Sequence, residues 1–224
     1  MKKILKAIAL TLTTAFAAVT FTACEHRLSS SSNAEAAPAS QAEVDVTKLD
    51  KSQSFVIALY PEYAPITCAN FEKLVSEGFY DGLTFHRVYK GFMAQGGNGA
   101  ALGRRAENIK GEFSTNGVEN TLIHKRGIVS MARRGNDPDS ANSQFFVVYD
   151  DKARASLDGI YAGFGEVIEG MEVVDSFLNI PMAQGTDQIP TVPTEPITIL
   201  KAVTEGKDSS GHTLCRFYMQ VGNK

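Results

Sequence analysis

Tyr80-Asp-Gly-Leu-Thr-Phe-His-Arg-Val-Tyr-Lys-Gly-Phe-Met-Ala-Gln-Gly-Gly97 is the stretch on which the interpretation of this chain turns. Thr84 to Val88 and Phe92 to Gln95 are short runs rich in β-branched, aromatic and apolar residues, separated by a Gly-containing joint, and they predict two strands. The segment Gly96-Gly97-Asn98-Gly99 lacks the Lys-Ser/Thr and following helix of a phosphate loop, so it predicts a turn. Arg87 within the first run is by default a surface cation, Phe92 and Met93 are by default core, and Gln95 is by default solvated. What raises them above those defaults lies elsewhere in the chain.

Upstream, Phe55 to Leu59 is an apolar β-favouring run stopped by Pro61. Pro65 to Glu77 has helical spacing, with Cys68, Phe71 and Val75 on one face, Pro65 suited to a first turn and Gly78 to a stop. Downstream, strands are predicted at Gly127 to Ala132, Gln144 to Tyr149, Ala162 to Ile168 and Pro196 to Val203. A second helix is expected from Met171 to Leu178, closed by Pro181. Many short strands with Gly-rich joints and only two helices indicate an all-β barrel or sandwich, and pattern alone does not choose between them.

The 224-residue chain carries 22 Lys and Arg against 25 Asp and Glu, a formal charge of -3. That balance argues against a nucleic-acid binder, which shows a basic stripe. Cys24, Cys68 and Cys215 match no metal-ligand spacing, and the four histidines form no ligand pair, so neither metal nor cofactor is expected. His124 has no Ser or Cys beside it in a nucleophile motif and reads as a structural, hydrogen-bonding histidine.

Residues 1–24 begin with three lysines in Met1 to Lys6 and continue through charge-free, apolar or small residues to Ala23, the pattern of an export signal. The ending Phe21-Thr22-Ala23-Cys24 resembles a bacterial lipobox, which implies lipidation of Cys24 and anchorage of an exported protein to a membrane. A plain secretory signal cut near Ala36 or Ala37 is the alternative. Residues 25–50 hold the run Ser29 to Ser32 and few large aliphatic side chains, and predict a flexible tether. Residues 51–205 form the predicted domain, and 206–224 a C-terminal tail without a motif.

Tyr80 to Gly97 resembles the signature segment of the cyclophilins. Gly127-Ile-Val-Ser-Met-Ala132 followed by Ser143-Gln-Phe-Phe146 is similar to their second signature, and Leu157-Asp-Gly-Ile-Tyr-Ala-Gly-Phe-Gly165 to a third block. Three ordered blocks are far more specific than one. The resemblance spans about Lys51 to Glu205. It implies a closed eight-stranded antiparallel barrel capped by two α-helices, working as a monomeric peptidyl-prolyl cis-trans isomerase on Pro-containing polypeptides. It also implies a catalytic role for Arg87 and a proline pocket of Phe92, Met93, Phe146 and Leu157. Gln95 and Gln144 would bind substrate polar groups, and Ala132, Arg133 and Arg134 its main chain. Tyr161 stands where many members have His.

There are departures from the family pattern. Ser156 replaces a Trp associated with cyclosporin binding, Arg133 and Arg134 make one rim basic, and the loop from Gly135 to Asn142 is longer. A binding module that uses the same groove without turnover is the rival from another class, and a partner-binding role for the tail is a third.

Overall fold

The computed structural model describes residues 44–186 and 188–223, so Cys24 and the expected leader lie outside the described residues. The strands in chain order are β1 (Ser54–Leu59), β2 (Phe85–Tyr89), β3 (Met93–Gly96), β4 (Ile128–Met131), β5 (Phe145–Val148), β6 (Gly163–Glu169), β7 (Met182–Gln184), β8 (Pro190–Pro193), β9 (Ile197–Lys207) and β10 (Thr213–Val221). The helices are α1 (Pro65–Ser76), α2 (Arg154–Leu157) and α3 (Met171–Ser176). Eight strands form one antiparallel sheet in the order β2-β3-β5-β4-β6-β1-β10-β9, and β7 and β8 make a separate hairpin.

The sheet is curled into a half-barrel, not closed as expected. Its edges β2 and β9 form no ladder. They touch at one bridge, Thr84 opposite Thr198, where the Ile199 amide donates to the Leu83 carbonyl at 2.8 Å. β8 also packs against β2.

Two further differences concern the ends of the predicted domain. The segment expected as a tail supplies β10, which pairs with β1 on one side and β9 on the other. Cys215, Phe217 and Met219 alternate into the core, with Arg216 on the opposite face. That arginine is itself buried, its Nε donating to Glu205 at 2.7 Å and its Nη1 to Glu169 and Ser54 at 2.8 Å each. The end of the expected tether forms a 3-10 turn at Val46–Lys48, and a second follows at Lys51–Gln53, the start of the predicted domain. Asp45 and Asp50 cap them by accepting from the Thr47 and Ser52 amides.

α1 lacks a side-chain cap of its own, and a distant carboxylate supplies it. Glu112, buried to 2% exposure, accepts from the Ile66 and Thr67 amides and from the Thr67 hydroxyl. The helix ends in a Schellman turn, with the Phe79 amide donating to Leu74 O and Gly78 to Val75 O while Gly78 takes a φ of +67°. α1 then sets Phe71 into the half-barrel, 5.2 Å from the Phe145 ring and 5.9 Å from Phe217. α3 is shorter than predicted, its last turn being a 3-10 turn over Phe177–Asn179, and the one-turn α2 is a third helix beyond the two expected.

Candidate active site

Strand β5 is apolar on both faces, and this places the site. Phe145 and Val147 enter the main core, whereas Phe146 and Val148 join a second cluster with Met93, Ala153 and Leu157 on the outside of the half-barrel. Arg87, Gln95, Phe146 and Ser130 are successive partners across β2, β3, β5 and β4, so they share that outer face. A register shift between Phe85 and Arg87 makes this possible: Phe85 and Val88 both point inward, an odd spacing that a regular strand forbids.

On this face lies a pocket of about 100 Å³. Met93, Phe146 and Leu157 are its nearly buried walls, with Phe92 and Tyr161 more open and Arg87, Gln95, Ala132 and Arg133 completing it. Tyr161 meets Phe146 edge-on at 5.7 Å, and Phe92 meets Tyr89 in the same way at the same distance. Gln95 Nε2 donates to Gln144 Oε1 at 3.0 Å, and the Ala132 amide donates to Gln144 O at 2.9 Å. Gln144 and Arg134 do not line the pocket. They belong to an adjoining polar groove of about 260 Å³ that also contains Asn108, Ser140 and Asn142.

The β3 exit depends on one glycine. Gly97 has a φ of +80°, and a Cβ there would come within 2.7 Å of Ser143 O. That carbonyl also accepts from the Tyr80 hydroxyl at 3.0 Å, tying the first signature block to the second. The expected turn at Gly96 to Gly99 is thus a close backbone crossing, continued by a 3-10 turn over Gly99–Leu102.

The sequence missed a connected array behind the pocket. His124 Nδ1 lies 2.8 Å from Asp158 Oδ1 and its Nε2 lies 3.0 Å from Ser130 Oγ. The atoms are those of a nucleophilic triad, but Ser130 is fully buried, so no substrate carbonyl can reach it. The array is a brace: the His124 ring stacks at 6.4 Å on Phe146, and Asp158 follows Leu157. Burial, outweighing the Asp158 interaction, pushes the His124 pKa below the usual imidazole value. The sequence marks His124 as a structural, hydrogen-bonding histidine, which it is, but does not reveal its partners, Asp158 coming from a different block.

His86, beside Arg87, also has its pKa lowered, chiefly by burial, and its buried Nδ1 has no hydrogen-bond partner among the described residues. Cys68 and Cys215 are free thiols, each pushed up to about 12, mainly by burial, and therefore unreactive.

The family profile described as cyclophilin type peptidyl-prolyl cis-trans isomerase/CLD matches residues 44–204. Peptidyl-prolyl cis-trans isomerase B of Bacillus subtilis is 44% identical over 133 residues, covering 58% of this chain and 87% of the relative. A peptidyl-prolyl cis-trans isomerase of Acinetobacter baylyi is 44% identical over 151 residues, covering 64% and 76%. The crystal structure of a Cryptosporidium parvum cyclophilin in the presence of the dipeptide Ala-Pro superposes with a TM-score of 0.56 at 28% identity, covering 66% of this chain and 93% of that one. An outward apolar pocket on a curled eight-stranded sheet, together with these matches, makes this chain a member of the cyclophilin-type peptidyl-prolyl cis-trans isomerase family.

Proposed function

We propose that Arg87 is the catalytic residue of this isomerase, and that the enzyme acts on exported polypeptides while held at a membrane by lipid on Cys24. One observation carries the catalytic part: Arg87 shares a small pocket with Phe92, Met93, Phe146 and Leu157. Apolar cavities of roughly 150 Å³ accept benzene, and the five-membered proline ring is smaller.

Rotation about an Xaa-Pro bond is slow because the amide's partial double bond must twist, against a barrier of about 18–20 kcal/mol. No bond breaks, so no nucleophile is required. The apolar walls hold the pyrrolidine ring while the preceding carbonyl turns. The Arg87 guanidinium donates toward the prolyl nitrogen as its lone pair localises, which weakens the resonance that resists rotation. Gln95, anchored by Gln144, and the backbone at Ala132 to Arg134 keep the substrate chain still.

NMR exchange on an Ala-Pro peptide tests the catalytic assignment. Wild type accelerates cis-trans exchange, and Arg87→Ala loses about 10²–10³ of that rate, the usual cost of one preorganised donor. Near-wild-type exchange by folded Arg87→Ala would mean that the arginine is not catalytic.

The export part rests on the basic and apolar leader ending at Cys24. Wild type is expected to incorporate labelled palmitate and sediment with membranes, and Cys24→Ala to do neither. Recovery of both forms as soluble, unlabelled protein would remove the anchor from the proposal.

A further inference from the structure

Arg133 leaves β4 and turns its guanidinium between two rings, 5.0 Å from the Phe113 centroid and 4.9 Å from the Tyr161 centroid. Its Nε donates to Ile160 O at 3.0 Å, and its Nη1 donates to Arg134 O and Gly135 O at 3.0 and 3.1 Å. Three carbonyls and two rings fix the plane of the fork. Among the described residues no carboxylate forms an ion pair with it and its Nη2 makes no hydrogen bond. The nearby acids are otherwise engaged: Asp137 pairs with Arg134 at 2.7 Å, and Asp139 accepts from the Gly111 amide and the Asn116 side chain.

This uncompensated cation lines both the pocket that contains Arg87 and the adjoining polar groove. Gln95 and Ala132 line both as well, so the two spaces are continuous, and a chain with its proline in the first extends over the second. We infer that Arg133 determines specificity by favouring Xaa-Pro segments with an acidic side chain near the proline, on the side that crosses the groove. The inference rests on this pocket being the proline site. A planar fork already held in place loses little rotamer freedom on meeting a carboxylate, and its half-buried setting reduces screening. A lysine at the same substrate position meets a like charge.

The experiment is NMR exchange on Ala-Pro peptides with Glu, Gln or Lys at each of three positions before and after the proline. On one side of the proline, kcat/KM for Glu exceeds that for Lys by roughly tenfold, combining an attraction gained with a repulsion removed. The contrast falls below twofold in Arg133→Gln and in 1 M NaCl, where the Debye length is about 3 Å. It persists in Arg134→Gln, whose native partner is Asp137. A purely structural latch on the Ile160 loop would lower all peptides alike and leave the ratio unchanged.

A contrast below twofold at every position overturns the inference, as does a contrast that survives in folded Arg133→Gln. Should Arg133→Gln not melt cooperatively, the wild-type panel and its salt response decide. A flat charge panel with exchange of the neutral peptides intact sinks this inference alone. Absence of exchange with the neutral peptides sinks the isomerase assignment of the pocket as well.

Discussion

A chain ended at Glu205, where the family resemblance stops, is expected not to fold. Truncation there removes β10, which lies between β1 and β9, and so leaves both without a partner on that side. It also removes Cys215, Phe217, Tyr218 and Met219, each at most 3% exposed. At about 1.5–3 kcal/mol per buried side chain, the four contribute roughly 6–12 kcal/mol. The whole stability of a domain is about 5–15 kcal/mol. Removal of Arg216 further strips Glu205 and Glu169 of the guanidinium they share.

Phe217→Ala grades the same argument. The Phe217 ring stacks 5.3 Å from Phe55 and contacts Phe71, Tyr80 and Phe145, so the loss is about 3–5 kcal/mol. For a domain of this size that lowers Tm by roughly 6–20 °C. Calorimetry gives the melting of each form, and NMR exchange on Ala-Pro peptide gives its activity. If the chain ending at Glu205 melts cooperatively within about 5 °C of the full chain and still turns over peptide, the central place assigned to β10 is wrong.

Arg87→Lys should recover little of the rate lost in Arg87→Ala, since an ammonium lacks the planar fork, while Phe92→Ala should weaken peptide binding and rate together; equal recovery by Lys would contradict the role given to the guanidinium. His124→Phe should lower turnover several-fold with a smaller change in Tm, because it releases Asp158 and Ser130 behind Phe146 and Leu157, and unchanged kcat/KM would show that the array does not brace the pocket. His124 and His86 both titrate lower in the fold than unfolded, so the unfolded chain binds more protons as pH falls below about 6.5, and stability declines there by up to about 1.4 kcal/mol per pH unit for each histidine. A melting temperature flat from pH 7 to 5 would refute that. Ser156 is exposed beside Tyr89, Lys90 and Phe92, so Ser156→Trp should tighten cyclosporin inhibition by supplying an apolar face and an N–H donor; weaker inhibition would count against the correspondence at that position.

What the sequence revealed and what it hid follow from how local each signal is. Pro65 and Gly78 bracket α1 because a helix start and stop are set by residues at the ends themselves. The strands near the signature blocks were legible because β-favouring residues cluster there between Gly-containing joints. β10 lay beyond the span of the family resemblance, and the three partners that satisfy its buried Arg216 lie on β1, β6 and β9, far apart in the chain. The cap on α1 was equally invisible, since Glu112 is 45 residues from the Thr67 amide it accepts. That the sheet edges meet at a single bridge, with β8 packed against β2, is a long-range arrangement that no pattern within β2 or β9 records. The site residues were recognised as a set by resemblance, but their division into pocket and groove needed the fold.

The double-faced apolar character of β5 explains why the pocket can sit on the outside of the sheet. A half-barrel ordinarily buries one face of each strand and leaves the other to water. Phe145-Phe146-Val147-Val148 buries both, so an apolar surface outside the sheet exists before any substrate arrives. Its backing is the tightly packed ring cluster of Phe71, Tyr80, Phe145 and Phe217, which opposes displacement of β5 toward the core. Its far side is held by the His124 array and by Leu157 on α2. An isomerase that relies on positioned donors and apolar walls needs that rigidity, because a donor that drifts with the turning amide does no more than water would. The core and the site are therefore one mechanical unit sharing a strand. Substitutions at Phe145, though directed away from the pocket, should affect turnover as well as stability.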